Sequence, residues 1–434
     1  MFAVSRVGDF VGLYVGMFLV PATLSQQKLG AVLPLMKFAA VVAVPMTIVA
    51  RTAMKYISML LVKEEHGKIK SMLRDLALLS STVSVIIIVA LWIGWDFIEK
   101  SLKIDDKRIL WLLGASLIFS CWTPLATSVS QGLKHFYRII LARLLGPIAR
   151  LLVAILLLKQ LQVVGYLSAN LSVGIVTLLL LGDGLLRYFR RDTPQESYKE
   201  LLPDIKRYVV PIGIASLLLT VQLAAGPWFI RKSLSEEISA GYYIAAMFGN
   251  IPMWVAPAML PFLFPLVSER YEKGISTRKM HIQALGIVLL AGLSIALFLF
   301  VYGENILALR PNWQKYSTYS PFMWQIALIT TLDTFFQCHF THETACKSFG
   351  FLRYYAPLVA VEIILLWVFM GWEHLSGIIP AGLYQSVHNA IPVSLQSVLI
   401  IMLAVRVVNF IFLLVSLWIP YITHINTTDR KYIR

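Results

Sequence analysis

The chain has 434 residues, of which 58% are apolar or aromatic and only 14% are charged, with a mean hydropathy of +0.74. Soluble domains carry roughly 25% charged and about 45–50% apolar residues, so this composition excludes a soluble enzyme, a disordered scaffold and a secreted disulfide domain. The formal charge of +15 reports topology first, because basic residues of a membrane protein gather on the cytoplasmic side.

A spanning helix needs about 20 mostly apolar residues to cross roughly 30 Å of hydrocarbon. Twelve stretches qualify: 4–23, 31–60, 76–97, 109–131, 139–158, 163–186, 208–230, 239–267, 282–303, 317–345, 354–372 and 394–420. The first loosely resembles a signal peptide, with Val20-Pro21-Ala22 as a cleavage site. Against that, Asp9 interrupts its apolar run, and Gly8, Gly12 and Gly16 have the four-residue spacing that suits close packing in a membrane. It is read as the first helix. Cys121, Cys338 and Cys346 all lie inside apolar runs, an odd count without disulfide or zinc spacing.

With the N-terminus placed inside, Lys and Arg in the inner connections outnumber those outside by about two to one, which orients both termini to the cytoplasm. Arg231 and Lys232 are assigned to an outer loop in that tally. The longest polar stretch, from Arg187 to Arg207, follows six spans and precedes six more. The expected organisation is a six-helix lobe at 1–188, a cytoplasmic linker at 189–207 and a second six-helix lobe at 208–434.

The two halves echo one another. Leu24-Ser25 and Gly30 before the second span correspond to Leu234-Ser235 and Gly241 before the eighth, and Val44-Pro45-Met46 to Ile251-Pro252-Met253. Phe136-Tyr137-Arg138 and Phe351-Leu352-Arg353 open the fifth and eleventh spans after a small-residue turn. These matches point to parallel repeats related by an axis along the membrane normal.

Those two turns, together with Ser130 through Phe136 leaving the fourth span and Phe262 through Glu269 leaving the eighth, carry a family likeness. The chain resembles the polysaccharide-exporting branch of the multidrug/oligosaccharidyl-lipid/polysaccharide flippase superfamily. The resemblance implies an all-α polytopic membrane protein, with about twelve transmembrane helices in two six-helix lobes forming a V around a central cavity. It further implies an O-antigen-type flippase serving surface polysaccharide and lipopolysaccharide biosynthesis in the bacterial inner membrane. Many relatives carry an acid in the middle of the seventh helix. Here Gln222 through Trp228 contain none, which puts ion coupling through that helix in doubt.

Charges within the spans carry the functional reading, because each costs about 2.5–3.5 kcal/mol at the bilayer centre on insertion scales. Lys37, Arg51 and Lys55 fall within roughly 40° on the second helix, and Arg143 and Arg150 share a face of the fifth. Arg150 is expected near the midplane; Lys37, Arg51 and Lys55 are nearer the boundaries, where long side chains snorkel. Together these five are the expected binding residues for a diphosphate and acidic sugars, since the guanidinium fork suits phosphate. In the second half, Asp333, Glu362 and Arg406 lie within the tenth, eleventh and twelfth spans. Either Asp333 and Arg406 form an ion pair, or Asp333 or Glu362 binds H⁺ or Na⁺ as a coupling site. His339 with Glu343 or His342 on one helix is too little for a metal site, and no metal or cofactor is expected.

The expected activity is therefore alternating-access transport of an isoprenoid-diphosphate-linked oligosaccharide to the outer leaflet, by a monomer that contacts membrane lipids and no nucleic acid. A multidrug antiporter of the same fold is the first alternative, disfavoured because a basic lining repels cationic drugs. The second is a membrane-embedded glycan polymerase or ligase. Its longest outer connection, about 373–393, has Glu373, His374 and His388 but no Lys or Arg for a diphosphate. The absence of a Walker-type loop argues against ATP as the driver, and the chain is not expected to be an enzyme.

Overall fold

The computed structural model describes residues 8, 10–104, 106–133, 135–190, 194–254, 263–264, 266–271, 273–346, 348–370 and 394–424. Among these the regular structure is helical. We number the long helices α1 (Phe10–Thr23), α2 (Gln26–Val62), α3 (His66–Leu102), α4 (Arg108–Gly132), α5 (Phe136–Leu161), α6 (Val163–Arg190), α7 (Leu202–Ser233), α8 (Glu236–Gly249), α9 (Arg278–Ala308), α10 (Ser320–Ala345), α11 (Leu352–Met370) and α12 (Leu395–His424). Nine helices among the described residues are long and apolar enough to cross a membrane, and the chain is a multi-pass membrane protein. At about 1.5 Å per residue, α2 and α3, with 37 residues each, are roughly 55 Å long and outreach the hydrocarbon.

The chain divides into two compact units, Met1–Tyr243 and Ile244–Arg434. In the first, Leu73 and Ile69 of α3 pack with Ile57 and Leu60 of α2 and with Leu125 and Val129 of α4. The segment after α6 docks on this core. Tyr198 and Leu201 pack against it, the Tyr198 hydroxyl donates to Asp75 at 2.8 Å, and Arg74 donates to Gln195 at 2.9 Å. Gly67 is required here, because a Cβ would meet the Pro194 carbonyl oxygen at 2.6 Å.

Corresponding helix ends in the two halves share one backbone form. Leu24 and Leu234 are both extended, and their amides donate to Val20 and Ile230 at 3.0 Å each. At the end of α2, the Lys63 and Glu65 amides donate to the Met59 and Leu60 carbonyls around Glu64, whose φ is 59°. At the matching place in the second half, Lys273 and Ile275 donate to Glu269 and Arg270 around Gly274, with φ 68°. A left-handed residue closed by a six-to-one bond is a Schellman-type stop. The ends of α4 and α10 match as well. Leu133 and His135 bond Val129 and Ser130; Cys346 and Ser348 bond His342 and Glu343.

The eighth span departs from expectation. In place of one helix over 239–267, α8 stops at Gly249 and a 3-10 turn follows at Ile251–Trp254. Pro252 has no amide to continue the ladder. Gly249 lies so close to α10 that its Cβ would fall 2.6 Å from that of Ile326, and its carbonyl accepts from Thr330 Oγ1 at 2.6 Å. Pro257 and Pro261 lie outside the described residues.

Candidate functional site

In the first unit the site forms around Arg150, which is half-buried on α5. Its Nη2 donates to the Tyr166 hydroxyl of α6 at 3.3 Å, and the guanidinium carbon stands 5.7 Å from the centre of that ring. Gly12 of α1 makes room on the other side, since a Cβ there would lie 3.3 Å from Arg150 Nη1. Tyr166 in turn donates to the Met36 sulfur on α2, so α1, α5 and α6 meet at the guanidinium and α2 joins through Tyr166. Its Nε is buried without a hydrogen-bond partner, and among the described residues no carboxylate is paired with Arg150. Asp9 lies outside them.

The other four sequence-predicted basic residues are less closely joined. Arg143 is exposed on α5, and its carbonyl oxygen is the atom against which Gly8 packs. Lys37 is half-buried on α2, next to Met36. Arg51 and Lys55 have their backbone in α2, and their side chains lie outside the described residues. Tyr166 was not singled out by sequence. Its signal is an aromatic hydroxyl inside an apolar helix, which in a membrane interior needs a partner.

In the second unit α10, α11 and α12 bring Asp333, Glu362 and Arg406 together. Arg406 Nε donates to Asp333 Oδ1 at 3.0 Å, while Nη1 bonds Glu362 Oε1 and the Met402 carbonyl at 3.1 Å. Their side chains are 3%, 0% and 2% exposed respectively. Two carboxylates thus face one guanidinium. A charge in such surroundings is expensive, so the cluster is a natural place to take up one proton or a small cation. A pocket beside it is lined by Asp333, Arg406, Asn409 and Phe410. Arg406 Nη2 and Asn409 Oδ1 are both buried without hydrogen-bond partners.

Arg231 corrects the sequence tally. Counted as an outer-loop residue, it is instead 1% exposed. It donates through Nε to the Leu102 carbonyl at 2.8 Å and through Nη2 to Lys103 and Glu236. Those carbonyls end α3 and have no helical partner of their own. Beside it, burial and the Arg231 charge hold the Lys103 ammonium below the ordinary lysine range.

The sequence matches no family model and no curated protein. The structure does match solved proteins. A multidrug resistance MATE family transporter of the MOP superfamily, in its inward-facing conformation, is 14% identical over 94% of each chain, with a TM-score of 0.66. The lipid II flippase MurJ, in an inward closed conformation, is 13% identical over 95% of this chain and 87% of its own, with a TM-score of 0.62. A MOP superfamily transporter from Pyrococcus furiosus, described as having a binding pocket of reverse polarity that suggests a different function, is 14% identical over 96% and 92%, with a TM-score of 0.60. The fold is therefore that of the MATE and MurJ transporters.

Proposed function

We propose that the chain is a lipid-linked oligosaccharide flippase of the polysaccharide-exporting type, working by alternating access in a bacterial inner membrane with both termini in the cytoplasm. The two six-helix lobes divided by the 189–207 linker are part of this reading. The observation that carries it is Arg150: a half-buried guanidinium with an unpartnered Nε and no carboxylate bound among the described residues. A diphosphate supplies the acceptors such a group lacks, and the guanidinium fork can engage two of its oxygens. Arg143, Lys37, Arg51 and Lys55 extend the basic surface for acidic sugars. Arg406 is different because its guanidinium is already bonded to two carboxylates: with Asp333 and Glu362 it serves coupling to H⁺ or Na⁺. Among proteins of similar fold, one acts on lipid II and another differs in pocket polarity, so polarity is the property that separates this reading from a multidrug antiporter.

The test is complementation of a deletion strain. Arg150→Ala is expected to abolish surface-glycan export at normal abundance, and Arg150→Lys to restore it partly, because a point charge does not replace the fork. Full export by Arg150→Ala would overturn the assignment.

A further inference from the structure

Three imidazoles and a carboxylate crowd one end of the α9–α10 hairpin in the second unit. His281 lies in the first turn of α9, and His339, His342 and Glu343 lie near the end of α10. The hairpin is tightly closed along its length, with Gly292 of α9 against Thr331 of α10. At its end His281 stacks on His342, with centroids 3.8 Å apart and planes 6° from parallel. His281 Nε2 is also 3.3 Å from His339 Nδ1. One donor atom each from His281, His339 and Glu343 falls within 4.8 Å of the others. Phe336 and Phe351 wall His339, and His339 Nε2 has no hydrogen-bond partner.

Buried imidazoles are costly unless their nitrogens are used. Placing the His339 proton on the unpartnered Nε2 turns the lone pair of Nδ1 toward His281. Zinc ligands about 2.0–2.1 Å from the ion stand roughly 3.4 Å apart in a tetrahedron, close to the spacing of these two nitrogens. Rotation of the Glu343 side chain closes the remaining gap of up to about 1.4 Å. His342 is already engaged. It faces Glu343 Oε1 through Nδ1 at 3.1 Å and Thr277 Oγ1 through Nε2 at 2.9 Å. It therefore orients the carboxylate from behind, as groups bonded to metal ligands commonly do.

We propose that His281, His339 and Glu343 bind one divalent transition-metal ion of the zinc class, with water in the fourth position. Two imidazoles and a carboxylate favour zinc, cobalt or nickel over magnesium or calcium. The bound ion fastens the first turn of α9 to the end of α10, whatever the substrate carried.

The test uses the full chain in detergent, stripped with chelator and titrated with Co²⁺, followed by displacement with Zn²⁺. The expected result is one equivalent of Co²⁺ with tetrahedral d–d absorption, lost on Zn²⁺ addition. His281→Ala and Glu343→Gln should each weaken binding at least about tenfold, with His66→Ala unchanged. Hydrogen exchange on the wild type gives a readout that does not depend on variants folding: Zn²⁺ should slow exchange around 277–283 and 339–346. No stoichiometric Co²⁺ binding, binding indifferent to His281 and Glu343, or protection confined to other segments would each overturn the proposal.

Discussion

Arg406 is shared between two acids: its Nε lies 3.0 Å from Asp333 Oδ1 while its Nη1 bonds Glu362. Because both carboxylates lean on one guanidinium, the triad is asymmetric toward substitution. Asp333→Asn leaves a neutral Glu362–Arg406 pair and is expected to keep the protein abundant. Arg406→Gln takes the guanidinium from two buried carboxylates, and breaking a buried pair in this way costs about 3–5 kcal/mol. Expression level and thermal melting in detergent compare the two. Equal loss would show that Glu362 does not substitute for Asp333 as the partner of Arg406.

The same variant separates structure from coupling. If the triad carries the coupling ion, abundant Asp333→Asn should transport without responding to an imposed H⁺ or Na⁺ gradient. A variant that keeps the wild-type gradient dependence would assign the triad to stability alone.

Arg231 should be a stability residue. Arg231→Met leaves the Leu102 and Lys103 carbonyls and Glu236 without their donor, a loss of roughly 2–4 kcal/mol if unsatisfied groups stay buried. The measurement is the melting temperature, with Lys232→Met as the control expected to change little.

Glycines at helix contacts give a paired comparison. A Cβ on Gly30 would lie 2.6 Å from that of Ser239 and 3.0 Å from the Ala240 amide, so Gly30→Ala must push two helix starts apart, at about 1–3 kcal/mol. Gly213→Ala in α7 meets nothing within 4 Å, and should be neutral or stabilising by up to about 1 kcal/mol. Melting of the two purified variants decides it, and equal effects would contradict the close α2–α8 approach.

Helix existence was legible because hydropathy over 20 residues is a strong signal, and the repeated Leu-Ser turns proved to share a backbone form. The α8 stop had its signal in Gly249-Asn250-Ile251-Pro252, which the apolar run masked. Arg231 was misjudged because a helix end beside Lys232 reads as a loop, and its burial depends on carbonyls of a distant helix. The histidine cluster was half visible. His339 and Glu343 share a helix face, but His281 reaches them only through the pairing of α9 with α10, which periodicity does not encode. Arg150 stood out as a lone deep cation, whereas its partners Tyr166 and Gly12 required the packing of α1, α5 and α6.

The most direct measurement is translocation in reconstituted vesicles, with a fluorescent isoprenoid-diphosphate oligosaccharide in one sample and a lipophilic cationic dye in another. Headgroup movement is read by a membrane-impermeant quencher. Protein-dependent movement of the diphosphate-linked glycan, lost in Arg150→Ala, is expected, with no uptake of the cation. Gradient-driven cation transport by the wild type, with the glycan left in its original leaflet, would contradict the flippase assignment.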